Sequence, residues 1–190
     1  VVMMFDNNIY GLTKKQTSPT TEPGERTNTH PRGSWLPAMD PLSTTLGMTN
    51  ASFVAQTVDW NPPHLYETLK AAYEHRGTSF VRILQRCPTY SKHVFTELQD
   101  NPDQMLLLAH ADGIPNPDAV TRTFKNVRQH DPSDLGAARA IAASRDFTPM
   151  GLLYKDASKP VYNDYTAQGI ETTTDQKLAA IEAQLDRFAI

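Results

Sequence analysis

Residues 6–15 read Asp-Asn-Asn-Ile-Tyr-Gly-Leu-Thr-Lys-Lys and follow directly on the apolar run VVMMF. The Asn7 amide oxygen and the nearby backbone carbonyls are hard ligands of the kind Mg2+ accepts, and Mg2+ held by a few protein oxygens leaves positions for a diphosphate. Gly11 lets the backbone approach such a group closely. Thr13 offers a hydroxyl and an amide to phosphate oxygens, and Lys14 and Lys15 bring positive charge. The same Asp-Asn-Asn string is also ordinary turn chemistry, so composition alone leaves both readings open.

The chain has a single cysteine, Cys87. One thiol excludes an intrachain disulfide framework and fits a reducing cytoplasm. Taken alone, such a cysteine is usually a small buried residue. Among the six histidines, His64, His75 and His93 have no metal-like spacing. His64 and His75 lie on or beside a helix and are expected at the surface. No histidine is assigned a catalytic role.

The elements that must position these residues alternate. VVMMF reads as a strand covered on both faces. DPLSTTLG reads as a short helix with Asp40 as cap and Pro41 in its first turn. ASFVAQTV is a second strand. WNPPHLYETLKAAYEHRG is a helix capped by Asn61, with Leu65, Leu69, Ala72 and Tyr73 at helical spacing. TSFVRILQ is a third strand, which completes a βαβ unit and implies a parallel crossover. Further on, DPSDLGAARAIAASRD predicts a helix capped near Asp131 or Ser133. FTPMGLLYK suggests an edge strand or an extended arm. TTTDQKLAAIEAQLDRFA predicts an amphipathic helix with Leu178, Ile181, Leu185 and Phe188 on one stripe. Residues 92–132 show no clear element.

A chain of 190 residues is long enough for one substantial core. Its net charge of −3 supplies no basic field for nucleic acid or an anionic membrane. No apolar run approaches the roughly 20 residues that span a bilayer. Fourteen prolines leave much of the chain in loops. The expected fold is α/β, an open and mostly parallel sheet with flanking helices. Because Val1 opens inside a strand, that fold is expected to be incomplete at its N-terminus, the first part of a larger subunit being absent.

The stretch FDNNIYGLTKKQTSPTTEPG closely resembles the distal part of the cofactor motif in β subunits of 2-oxoacid:ferredoxin oxidoreductases. The resemblance continues in order through GSWLPAMDPLSTTLGMTNASFVAQTVDW, GTSFVRILQRCPTY and DPSDLGAARAIAASRDFTPMGLLYK. It implies a thiamine-diphosphate-binding fold in which the Asn7 side chain and the Ile9 carbonyl hold Mg2+, while Gly11, Leu12 and Thr13 line the cofactor. It implies that Lys14 contacts the substrate, because Leu-Thr-Lys here resembles the version that accepts 2-oxoglutarate. It makes Cys87 one ligand of a 4Fe–4S cluster whose other ligands lie outside this chain. Lys15 departs from the pattern, which usually has glycine there.

The activity so implied is coenzyme A-dependent oxidative decarboxylation of 2-oxoglutarate with electrons passing to ferredoxin. The partners would be the enzyme's α subunit, ferredoxin, the 2-oxo acid and coenzyme A, with neither nucleic acid nor membrane. Residues 1–90 would form the C-terminal half of the cofactor-binding domain, and residues 91–190 an irregular extension that docks the partner subunit. Two alternatives stay open: a non-catalytic docking fragment, or the same enzyme class acting on pyruvate or another 2-oxo acid.

Overall fold

A computed structural model describes residues 1–166 and 172–188. It divides into two compact units, Val1–Lys159 and Pro160–Ile190. The first unit is built on a six-stranded sheet. Its elements in chain order are β1 (Val2–Asp6), β2 (Ile9–Tyr10), β3 (Gln16–Thr17), α1 (Pro41–Leu46), β4 (Ala51–Val58), α2 (Pro62–Glu74), β5 (Thr78–Leu84), α3 (Thr96–Asp100), β6 (Met105–Ala109), α4 (Asp118–Thr121), β7 (Asn126–Gln129), α5 (Leu135–Ala143) and β8 (Thr148–Lys155).

The strand order is β1-β5-β4-β8-β6-β7, with β2 and β3 forming a separate small hairpin. β1, β5 and β4 run parallel, as do β8, β6 and β7, and the two blocks meet antiparallel at β4–β8. The mostly parallel α/β expectation therefore holds. All eight residues of β4 are buried, as a strand covered on both faces requires. Val54 joins one cluster with Leu42, Leu106, Ala138 and Leu153, beneath α1 and α5. Phe53 and Ala55 join another with Ala72, Val81, Ile83 and Leu152, beneath α2.

The local signals for α1 and α2 are borne out. The Asp40 side chain accepts from the Leu42 amide at 3.0 Å, and the Asn61 side chain accepts from the His64 amide at 3.2 Å. Five expectations change. Among the described residues β1 pairs with β5 alone, and Val2, Met3 and Phe5 are exposed, so this stretch of chain does not itself cover the strand on both faces. β8 is a central strand rather than an edge, with Met150 to Tyr154 buried. The cap of α5 is Asp134, whose side chain accepts from Ala137. Tyr73 points to solvent, outside the buried face of α2. His64 is completely buried, because Phe124 covers it edge-on and Thr57 hydrogen-bonds it.

Residues beyond 91 supply β6, β7 and β8 to the same sheet as the strands before them. The second unit holds α6 (Tyr162–Thr166) and α7 (Thr174–Asp186). In α7 a capping box pairs Thr173 with Gln176, and Leu178, Ile181, Leu185 and, just past its end, Phe188 are exposed. Ala189, at the end of the predicted helix, lies outside the described residues.

Candidate functional site

Parallel strands present ligand sites at their carboxyl ends, and here β1 ends at Asp6 in register with Leu84 of β5. Backbone bonds tie the exits together: Gln85 N–H donates to the Asp6 carbonyl at 3.0 Å, and Asp59 N–H to the Leu84 carbonyl at 3.1 Å. The loops after β1 and β5 are thereby held side by side. The Ser91 hydroxyl donates to the Asn7 carbonyl at 2.9 Å. A β-carbon built on Gly11 would stand 3.3 Å from Cys87 Sγ. Gly11 and Cys87, 76 positions apart, thus face each other with no room for a side chain between them.

The loop after β1 is strained and anchored. Asn8, Lys14 and Lys15 all adopt left-handed φ, at 58°, 64° and 62°, a region that disfavours side chains other than Gly, Asn and Asp. The Asn7 carboxamide oxygen accepts from the Ile9 amide at 3.2 Å, which leaves it a second lone pair. Lys14 N–H donates to the Gly11 carbonyl at 3.0 Å, and Asn28 donates to the carbonyls of Lys14 and Lys15. Ile9 is buried, whereas Leu12 is fully exposed and Thr13 and Lys14 are also exposed. Lys15 reaches Glu25 at 3.8 Å, and Glu25 also contacts His93 at 3.1 Å. Lys14 has no ion-pair partner among the described residues. Residues 4–13, with Gln16, Ser18, Pro19, Thr20 and Met39, line an open cleft of about 610 Å³.

Burial resists ionisation of the Cys87 thiol, yet the backbone amides of Tyr90, Thr89 and Ser91 outweigh it and bring the thiol below its ordinary value. Such amides stabilise a thiolate, the form that binds metals. No cluster of three or more His, Cys, Asp or Glu suited to a metal occurs among the described residues, so the chain offers this thiol singly.

Sequence reading missed Asp6 and Arg82. The Asp6 side chain is 1% exposed and Arg82's 16%. Arg82 donates to Asp6 Oδ2 through Nε at 2.8 Å and Nη2 at 2.6 Å. Asp6 Oδ1 accepts from Thr20 Oγ1 at 2.6 Å and from the Asn8 amide at 3.2 Å. A signal existed: Arg82 in TSFVRILQ and Gln56 in ASFVAQTV are polar residues inside buried strands, which need partners.

Residues 1–83 match the family described as "Thiamine pyrophosphate enzyme, C-terminal TPP binding domain". The matched stretch holds β1, β4, α2 and most of β5, together with residues 4–13, which line the cleft. Along most of its length the chain is related to β subunits of 2-oxoacid:ferredoxin oxidoreductases. It is 31% identical over 180 residues to "2-oxoacid:ferredoxin oxidoreductase subunit beta" of Sulfolobus sp, covering 87% of this chain and 55% of the relative. It is 31% identical over 188 residues to "2-oxoglutarate oxidoreductase subunit KorB" of Mycobacterium tuberculosis, covering 86% and 50%. A solved structure, the 2-oxoglutarate:ferredoxin oxidoreductase from Magnetococcus marinus with 2-oxoglutarate, coenzyme A and succinyl-CoA bound, matches with a TM-score of 0.63 at 33% identity, over 97% of this chain and 52% of that one. The chain spans about half the length of the relatives it matches. No described helix is long and apolar enough to cross a membrane.

Proposed function

We propose that this chain is the C-terminal part of the β subunit of a 2-oxoacid:ferredoxin oxidoreductase and that the enzyme acts on 2-oxoglutarate. The close approach of the Gly11 loop to Cys87 carries the reading. It joins a loop suited to a diphosphate cofactor to a thiol suited to an iron–sulfur cluster, as a reaction that strips electrons from a cofactor-bound intermediate requires.

The residues present fit the cofactor. Asn7 Oδ1 and the Ile9 carbonyl would bind Mg2+, whose remaining positions go to diphosphate oxygens. The carboxamide oxygen of Asn8, buried and without a hydrogen-bond partner among the described residues, supports a further polar group at this loop. A side chain at position 11 would press on Cys87, which favours the glycine that admits a close ligand. Leu12 and Thr13 would line the cofactor. Bound thiamine diphosphate supplies the electron sink for decarboxylation. Lys14, a cation without an ion-pair partner among the described residues, would hold the distal carboxylate of 2-oxoglutarate. Cys87 would be one of four thiolates of a 4Fe–4S cluster, the other three lying outside this chain.

Coenzyme A would take the acyl group and ferredoxin the electrons. The α subunit would be the docking partner of residues 91–190, where the exposed apolar stripe of α7 supports the docking role. A reducing cytoplasm suits the thiol.

The test is Lys14→Ala in the full-length subunit with its α partner, assayed by dye reduction with 2-oxoglutarate and pyruvate in parallel. Loss of a charge-assisted contact worth about 1.5–3 kcal/mol lowers kcat/KM for 2-oxoglutarate by about 10- to 100-fold and spares pyruvate. Equal loss on both substrates overturns the substrate role of Lys14, and a parent enzyme inactive on 2-oxoglutarate overturns the 2-oxoglutarate assignment.

A further inference from the structure

The Asp6–Arg82 pair is the first link of a longer polar chain. Arg82 Nη1 donates to Gln56 Oε1 at 3.1 Å, and Gln56 Nε2 donates to the Pro149 carbonyl at 2.7 Å. These residues lie on β1, β5, β4 and β8, four strands adjacent in that order. Arg82 is paired in register with Met4 on one side and Gln56 on the other, so the three side chains share the α1/α5 face. The chain starts at the carboxyl end of the edge strand and finishes on the backbone of a central one.

At its outer end, Asp6 has both oxygens engaged. One is taken by two guanidinium donors of Arg82, and the other by the Asn8 amide and the Thr20 hydroxyl. The Asn8 amide belongs to the left-handed residue between Asn7 and Ile9. Next to Thr20, the Thr21 hydroxyl donates to the Asn8 carbonyl at 2.6 Å. Asp6 thus sets the backbone path of residues 7–9, and Arg82 fixes the rotamer of Asp6 against strands that cannot move independently. A carboxylate held by Thr20 and Asn8 alone keeps rotational freedom, and among the described residues β5 is the strand that pairs with β1.

We propose that Arg82 is a positioning residue for the metal–diphosphate loop, acting through Asp6 to pre-organise Asn7 and Ile9 and so setting the affinity for the Mg2+–thiamine diphosphate pair. The inference rests on residues 7–13 being the cofactor loop. Partners that orient metal ligands from behind typically change metal affinity by about 10- to 100-fold when removed.

The experiment is calorimetric titration of thiamine diphosphate, at fixed Mg2+, into the cofactor-free full-length subunit with its α partner. The variants are Arg82→Gln, Arg82→Lys, Thr20→Val and Asn7→Ala. Arg82→Gln raises Kd about 10- to 100-fold, Arg82→Lys restores part of the loss, and kcat at saturating cofactor stays near the parent value. Thr20→Val removes a donor to the same carboxylate without stranding a charge. It raises Kd by a smaller factor and decides the matter if Arg82→Gln does not fold. Unchanged Kd in the folded Arg82→Gln and Thr20→Val variants, with Asn7→Ala impaired, overturns the positioning role and makes Arg82 purely structural. Unchanged Kd in Asn7→Ala overturns the cofactor-loop reading beneath it.

Discussion

Gly11 lies against Cys87 so closely that a methyl group on the glycine would stand 3.3 Å from the sulfur. That separation is slightly too short for comfortable packing, so an added carbon must displace the thiol, the loop or both.

Gly11→Ala therefore tests whether the loop and the thiol move together. The strain is local, and the loop after β5 can yield by a few tenths of an ångström. The stability cost is expected at the low end of the roughly 1–3 kcal/mol typical of overpacking. The diagnostic change is in the thiol: in the subunit stripped of thiamine diphosphate and of any iron–sulfur cluster, iodoacetamide labelling of Cys87 shifts its pH midpoint upward as the sulfur leaves the amides of Thr89, Tyr90 and Ser91. A parent-like labelling profile would show that the two loops are not coupled.

Lys15, where the motif it resembles carries glycine, adopts a left-handed φ of 62°. Three terms act on Lys15→Gly. Left-handed strain of about 1–2 kcal/mol is relieved. The freer glycine backbone takes back about 0.5–1 kcal/mol, and a surface ion pair with Glu25 worth about 0–1 kcal/mol disappears. The sum is near zero, so urea denaturation of Lys15→Gly should match the parent within about 0.5 kcal/mol. Lys15→Val, β-branched at the same φ, should lose more than about 1 kcal/mol. Equal stability of the two variants would contradict the left-handed geometry.

His64 gives a pH dependence whose sign follows from burial. Enclosure of the ring lowers its pKa from 6.5 to about 4. Between these values the unfolded chain binds a proton that the folded chain does not, so stability rises with pH across the window. It is complete above pH 6.5 and declines as pH falls toward 4, by about 3 kcal/mol in all. Burial lowers His75 as well, so the two slopes add. The lowered carboxyls of Asp131 and Asp156 act at still lower pH, below their ordinary 3.8. Denaturant titrations of parent and His64→Gln from pH 7.5 to 4 should show a shallower slope in the variant. Identical slopes would remove His64 from the account.

The caps of α1 and α2 and the apolar strands β1, β4 and β5 were legible because each rests on a local pattern: a polar cap two or three residues from an amide, or an unbroken apolar run. β8 was misread as an edge because Pro149 and Gly151 look like strand breakers. In the structure Pro149 uses its carbonyl, not the missing N–H, and Gly151 takes φ of 104° beside the register shift where β8 meets β4, the setting in which a strand glycine is favoured. Met105–Ala109 was an apolar run in plain view, but its flanking Asn, Pro and Asp residues concealed its role as β6. The cleft residues were legible only through their order along one loop. The support beneath them was not, since Asp6 and Arg82 are 76 positions apart and meet only through strand register. His64 was misplaced for a related reason: the Phe124 ring that covers it comes from a region with no readable period.

The antiparallel seam between β4 and β8 gives the sheet two chemically distinct rims. One rim gathers the exits of β1, β5 and β4 with the entries of β6 and β8. The opposite rim gathers the exits of β6, β7 and β8 with the entries of β4 and β5, where Asp156 N–H bonds the Ser52 carbonyl and Lys159 reaches the carbonyls of Thr49 and Ala51. Sequence drift, a tether or a fluorescent label in residues 110–117 or 156–158 therefore falls a full strand length from Asn7 and Cys87. The same change in residues 85–95 lands beside them. The seam makes one rim available for engineering and leaves the other to chemistry.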